Sequence, residues 1–186
     1  MSKRNHENQG EEFSSEKRIE QSTAQGQRAE EGQSRKPAKR LFITGTGTDI
    51  GKTYVAGLIL KKLHQSGVSA AYYKAAMSGN ERQSDGSLIP GDAVTVKEMS
   101  GICQPLEEMC PYVYENAVSP HLESRMEGNP VVMEQVKKGF DTVCAGYSFV
   151  TMEGSGGILC PICFDEKEIW LEDIIKACHL GCLIIA

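Results

Sequence analysis

The chain lacks any apolar run approaching the ~20 residues a membrane-spanning helix needs, and no charged-then-apolar leader opens it. A spanning segment and a secretory signal are set aside on that basis, and a cytoplasmic protein is expected. It also lacks an excess of positive charge. A net charge of -5 argues against nucleic acid as the main partner. A disulfide framework is missing too, because seven scattered cysteines are an odd number and fit reduced thiols better. No internal repeat is visible. What remains is a chain of 186 residues, 40% hydrophobic, able to bury one substantial core.

That apolar content is uneven. Residues 1–38 carry seven Lys or Arg and seven Glu, and besides Met1 their only apolar residues are Phe13, Ile19 and three alanines. Such a stretch cannot bury enough surface to order itself, and it is expected to be a disordered tail ahead of one domain, residues 39–186.

The domain opens on "LFITGTGTDIGKT", residues 41–53. Leu41, Phe42 and Ile43 read as a buried strand, the glycines permit an unusual backbone, and Lys52-Thr53 begins a segment of helical periodicity. Strand, glycine loop and helix start form a phosphate cradle. Backbone N–H groups turn toward an anion, the helix N-terminus adds partial positive charge, Lys52 reaches the outer phosphates, and the Thr53 hydroxyl can ligate Mg²⁺. The loop departs from the common pattern in one respect, since Thr46 stands where its first glycine usually stands.

Further along, Val55, Leu58, Ile59 and Leu63 follow one helical face that Gly67 ends, and residues 68–74, "VSAAYYK", read as a second strand. Residues 92–101 read as a short helix from Asp92 to a stop at Gly101. Ser119 and Pro120 look like another helix start. Asn129 as cap and Pro130 at the first position open a helix carrying Val132, Val136 and Phe140 inward, and residues 147–152, "YSFVTM", form the next strand. Asp165 and Glu168 suggest a capping box ahead of "IWLEDIIKACHLG", and "CLIIA" begins one more strand. Strands alternating with helices imply an α/β fold: a mainly parallel sheet covered by helices on both faces. Ligands in such sheets sit at the carboxyl ends of the strands, which selects the loop from Gly45 onward, Lys74 and Glu153.

Glu153, in "FVTMEGSGG", ends an apolar strand and is followed by glycines; beside a phosphate loop, a carboxylate there suits Mg²⁺ on a nucleotide. Without that loop it would read as a solvated strand-end residue. Taken alone, Lys74 reads as an exposed strand-end lysine, Ser78 as a turn residue and Asp92 as a helix cap. "CPIC", residues 160–163, with Cys178, His179 and Cys182, could supply zinc ligands, but Cys178 fits the apolar face of its helix.

The segments "GTGTDIGKT", "YYKAAMSG", "GDA", "SPHL" and "MEGSGG" occur in an order and spacing that resemble the dethiobiotin synthetase family, over residues 39–186. The resemblance implies a three-layer P-loop NTPase-like fold and an ATP- and Mg²⁺-dependent cyclo-ligase. Its reaction closes a ureido ring from 7,8-diaminononanoate and CO₂ in biotin biosynthesis. It implies ATP contacts at Gly47, Thr48, Asp49, Ile50, Gly51, Lys52, Thr53, Asp92 and Glu153, and catalytic roles for Lys52 and Lys74. Substrate contacts fall on Asp49, Ser78 and Gly156, Mg²⁺ ligands on Thr53, Asp92 and Glu153, and the assembly implied is a homodimer.

Three departures from the family pattern stand out. Ala75 replaces a proline, so the loop toward Ser78 is expected to be less constrained; Asp49 is shorter than the usual glutamate; and the chain stops inside the strand "CLIIA". In the family, segments after this strand meet the substrate carboxylate across a dimer interface and surround the adenine. A C-terminally incomplete synthetase is therefore expected. Three other readings stay open. An ATP-binding domain related to the amidotransferases of cobalamin synthesis would need a glutaminase domain with its Cys and His. A partitioning-type ATP switch would carry a lysine where Gly47 stands. The third is an ATP-binding fragment without turnover.

Overall fold

In a computed structural model, residues 36–165 and 167–186 are described, so the expectation of a disordered tail over residues 1–38 falls almost wholly outside them. Four strands, β1 (Lys39–Gly45), β2 (Ala70–Lys74), β5 (Phe149–Glu153) and β8 (Gly181–Ile185), form a parallel sheet in the order β2-β5-β1-β8. Between them the chain forms α1 (Lys52–Gln65), α2 (Gly91–Ser100), α3 (Pro120–Met126), α4 (Met133–Gly146) and α5 (Leu171–Ala177). Two small antiparallel pairs, β3 (Glu81–Arg82) with β4 (Leu88–Ile89) and β6 (Pro161–Phe164) with β7 (Glu168–Trp170), lie outside the main sheet.

Alternation along the strands divides the core into two. Phe42, Tyr73, Val150 and Met152 pack with Val136, Phe140 and Val143 of α4 and with Leu171 and Ile174 of α5. Ile43, Ala70 and Tyr72 pack with Ala56 and Leu60 of α1 and with Ala93 and Val96 of α2. The sheet is thus covered on both faces, as a parallel sheet requires, and the domain is a three-layer α/β P-loop fold. Neither flank of the sheet is alike. On β2, Gln104 Oε1 accepts from the Tyr72 N–H at 2.8 Å and the Met109 carbonyl accepts from the Lys74 N–H at 2.8 Å, so side chain and loop replace a further strand. On β8, Cys182, Leu183 and Ile184 are exposed, Ile184 by 61%.

Two helix starts differ from those expected. α4 begins at Met133, with Val132 as an exposed cap and Val131 buried in its place. Two tyrosines account for this: the Tyr112 hydroxyl accepts from the Val132 N–H at 3.0 Å, and the Tyr114 hydroxyl donates to the Asn129 carbonyl at 2.7 Å, holding both ends of 129–132 outside the helix. The capping carboxylate of α5 is Asp173, which accepts from the Trp170 N–H at 2.9 Å. Asp165 and Glu168 instead flank the β6–β7 turn, where Phe164 faces Glu168. A spacing of three residues serves a hairpin turn as well as a helix cap. Ser119 and Pro120 do open α3, and Gly101, at φ 73, ends α2.

Candidate active site

The carboxyl ends of β1, β2 and β5 meet at one cavity of about 790 Å³. The register explains which side chains arrive together: Ile43 and Lys74 both sit opposite Glu153, so the last residues of β2 and β5 are neighbours beside the loop that leaves β1. Of the residues singled out in the sequence, Thr48, Asp49, Gly51, Lys52, Thr53, Lys74, Ser78, Asp92, Glu153 and Gly156 all line this cavity. Gly47 and Ile50 do not. The Gly47 carbonyl accepts from Lys52 Nζ at 2.6 Å, and the Ile50 side chain lies where a Cβ on Gly45 would stand.

Local backbone shape makes the cradle. Gly51 precedes α1 at φ 91, a left-handed conformation that glycine adopts without a side-chain penalty, and Asp49 is also left-handed at φ 56. Lys52 and Thr53 then open the helix, where unpaired N–H groups and the helix dipole favour an anion. Gly157 lets the segment after β5 lie against this loop, since a Cβ there would stand 3.2 Å from the Thr46 carbonyl oxygen. The Gly45 carbonyl accepts from the Ile158 N–H at 3.0 Å.

At the centre, Lys74 Nζ lies 2.5 Å from Asp92 Oδ2 and 2.9 Å from Glu153 Oε1. The Thr53 hydroxyl donates to the same Glu153 Oε1 at 2.9 Å and faces Asp92 Oδ1 at 3.4 Å. Burial alone would lower the Lys74 pKa, but Glu153 and then Asp92 outweigh it and hold the ammonium above the ordinary lysine range. Lys52 behaves oppositely. Burial, reinforced by the charge of Lys74, lowers its pKa, and the carboxylates of Glu153, Asp49 and Asp92 only partly compensate.

Two carboxylates and a hydroxyl converging at a phosphate loop are a hard oxygen donor set of the kind Mg²⁺ takes when substrate phosphates and water complete its shell. The residues fit that ion. Among the described residues no group of three or more His, Cys, Asp or Glu is placed to hold a metal. Within "CPIC", Cys160 lines the cavity and Cys163 is buried in β6.

A second part of the cavity wall consists of Gly79, Ala117, Val118, Ser119 and Pro120. The expected looseness after Ala75 is not what the hydrogen bonding shows. Backbone pairing links Met77 with Tyr112 and Tyr114 and Gly79 with Asn116, and Ser155 Oγ donates to the Ala76 carbonyl at 2.6 Å. Asn80 Nδ2 donates to the carbonyls of Met77 and Tyr114, and Asn116 donates through both its N–H and its Nδ2 to Glu123 Oε1, at 3.0 and 2.6 Å.

Several cavity residues escaped the sequence reading: Tyr54, 58% exposed, with Thr95 and Met99 of α2, and Ser155. Tyr72 was also missed, although it stands two residues before Lys74 and therefore on the same face of β2.

A family model described as an AAA domain matches residues 39–186. The ATP-dependent dethiobiotin synthetase BioD of Clostridium perfringens (strain ATCC 13124) is 48% identical over 148 residues, covering 80% of this chain and 64% of that protein. The protein of the same name from Clostridium botulinum (strain Okra / Type B1) is 45% identical over 149 residues, covering 80% and 65%. The chain thus spans about 64% of the length of the first of these relatives. A solved structure of the signal recognition particle receptor FtsY from Elizabethkingia anophelis with GDP covers 81% of this chain and 37% of its own, with 11% identity. Its TM-score of 0.38 is too low to carry a structural argument. With most of its length matched by that model, the chain belongs to the AAA domain family, and its curated relatives there are named dethiobiotin synthetases.

Proposed function

We propose that this chain performs ATP-dependent closure of the ureido ring of dethiobiotin from 7,8-diaminononanoate and CO₂. The observation that carries the reading is the convergence of Lys52, Thr53, Lys74, Asp92 and Glu153 on one cavity at the strand ends, in a chain whose relatives bear that name. One substrate amine adds to CO₂, releasing a proton and forming a carbamate. A carbamate oxygen then attacks the γ-phosphorus of ATP, and ADP leaves. The second amine attacks the carbonyl of the resulting carbamic-phosphoric anhydride, phosphate departs, and the ring closes.

Charge accumulates on phosphoryl and carbamate oxygens throughout, so the protein's task is electrostatic and no protein nucleophile is required. Lys52 serves the outer phosphates. Lys74, kept charged beside two carboxylates, would face carbamate and γ-phosphate. Thr53, Asp92 and Glu153 would hold Mg²⁺, which supplies neutralisation of phosphate charge. Loop N–H groups from Gly47 to Thr53 orient the triphosphate, while Asp49, Ser78 and Gly156 meet the diamine. The proposal includes a cytoplasmic homodimer, as the resemblance implies. No helix among the described residues is long and apolar enough to cross a membrane.

Phosphate release from ATP, measured with and without diaminononanoate and bicarbonate, tests the reading. Release requiring both supports it. ATP binding with no diamine-dependent release would favour a nucleotide-binding module instead.

A further inference from the structure

Glu153 has two oxygens and they do different things. Oε1 faces the cavity, where Thr53 and Lys74 reach it; Oε2 accepts from the Tyr72 hydroxyl at 2.9 Å, behind the site. Tyr72 is fully buried, 0% exposed, among Ile43, Ala56, Leu60 and Met109. Its own backbone is fixed from the far side by Gln104, itself fully buried. Facing a carboxylate oxygen, which can only accept, the phenol hydroxyl is the donor of this pair.

We propose that Tyr72 is a positioning residue for the site: its hydroxyl occupies one oxygen of Glu153 and thereby fixes the carboxylate to present the other, singly, to a divalent cation. This rests on the reading of Glu153 as a metal ligand. The reasoning is that of partners behind ligating groups in general. A carboxylate free to rotate about its last bond offers either oxygen or both, and samples orientations that face no cation. A donor held in the core removes that freedom before the cation arrives, and losing such a partner typically costs about 10–100-fold in metal affinity. Tyr73, the next residue, points the other way and donates to the Val136 carbonyl at 2.9 Å, so the two tyrosines of β2 serve different faces of the sheet.

The test titrates Mn²⁺ into the intact chain with ADP present and reads free Mn²⁺ by electron paramagnetic resonance. Tyr72→Phe, which keeps the ring and removes the donor, should weaken Mn²⁺ about tenfold. It should leave metal-free ADP affinity unchanged. Glu153→Gln is the control for the underlying reading. If it binds Mn²⁺ like the parent, Glu153 is no metal ligand and both ideas fall. If Glu153→Gln weakens Mn²⁺ but folded Tyr72→Phe does not, the positioning role alone is overturned. A pair matched in size guards against a Phe variant that does not fold: para-aminophenylalanine in place of Tyr72 keeps a neutral donor, and para-methylphenylalanine has none. The amino form should bind Mn²⁺ close to the parent and the methyl form about tenfold more weakly. Equal affinity in the pair would contradict the proposal.

Discussion

The two walls of the cavity are built by different means. On the phosphate side, Lys52 and Thr53 follow a loop whose shape is set by its own glycines, and Lys74 and Glu153 are brought together by strand register. On the other, Gly79 and residues 117–120 belong to two segments tied together by the Gly79 N–H donating to the Asn116 carbonyl and by the side chains of Asn80, Asn116 and Glu123. The first wall is specified by backbone geometry. The second depends on a few polar side-chain contacts made by the buried Asn80 and Glu123.

Substitutions on the first wall are expected to change chemistry, and those at the contacts behind the second, where Ser78 adjoins Gly79, to change diamine binding and stability. The largest effect is expected at Lys52. Lys52→Ala should lower diamine-dependent phosphate release at least about a hundredfold, because losing one oriented charge typically costs ~3 kcal/mol of barrier. Turnover within about threefold of the parent would remove the phosphate-loop assignment. Next come Asp92→Asn and Glu153→Gln, which remove formal charge while nearly keeping shape. Each should shift the Mg²⁺ concentration for half-maximal activity upward by about tenfold, and an unshifted titration would make them structural.

Glu123→Ala probes the second wall. It leaves the N–H and Nδ2 of Asn116 without their acceptor, a loss of roughly 1–3 kcal/mol. The expectation is a melting temperature lower by several degrees and a raised KM for the diamine, with ATP affinity within about twofold of the parent. A loss of ATP affinity equal to the loss for the diamine would erase the distinction between the walls.

The smallest effect is one of pH. Because the Lys52 pKa is lowered by burial and by Lys74, its charge is lost, as pH rises, earlier than for an ordinary lysine. ATP affinity of the free protein should therefore fall on the alkaline side through a midpoint below the usual lysine value. Lys74, held above that range, does not contribute to this limb. The limb should vanish in Lys52→Ala; its persistence would assign it to another group.

Legibility in the sequence follows the same division. The loop from Gly45 to Thr53 and the strand ends at Lys74 and Glu153 were readable because a local pattern dictates a local shape, and the parallel sheet then determines where strand ends meet. Asp92 was harder, since its place depends on α2 packing against α1. The non-helical run before α4 was not readable. Asn129 and Pro130 carry a genuine helix-start pattern, and the Tyr112 and Tyr114 hydroxyls override it from a distance. Asp165 and Glu168 failed likewise, because a local spacing compatible with two structures is decided by what packs around it. Tyr72 was legible in principle. Two-residue periodicity places it on the face of Lys74, but nothing in the sequence says that its hydroxyl meets Glu153 across the strands.

The proposed reaction requires that an oxygen from CO₂ ends on phosphate, because the carbamate oxygen that attacks the γ-phosphorus leaves with it when the ring closes. The most direct measurement incubates the chain with ATP, diaminononanoate and oxygen-18-labelled bicarbonate, and weighs the released phosphate by mass spectrometry. One labelled oxygen in each phosphate released, scaled to the label remaining in the CO₂ pool, is the predicted result. Phosphate carrying no label, while diamine-dependent release proceeds, would contradict the carbamate route.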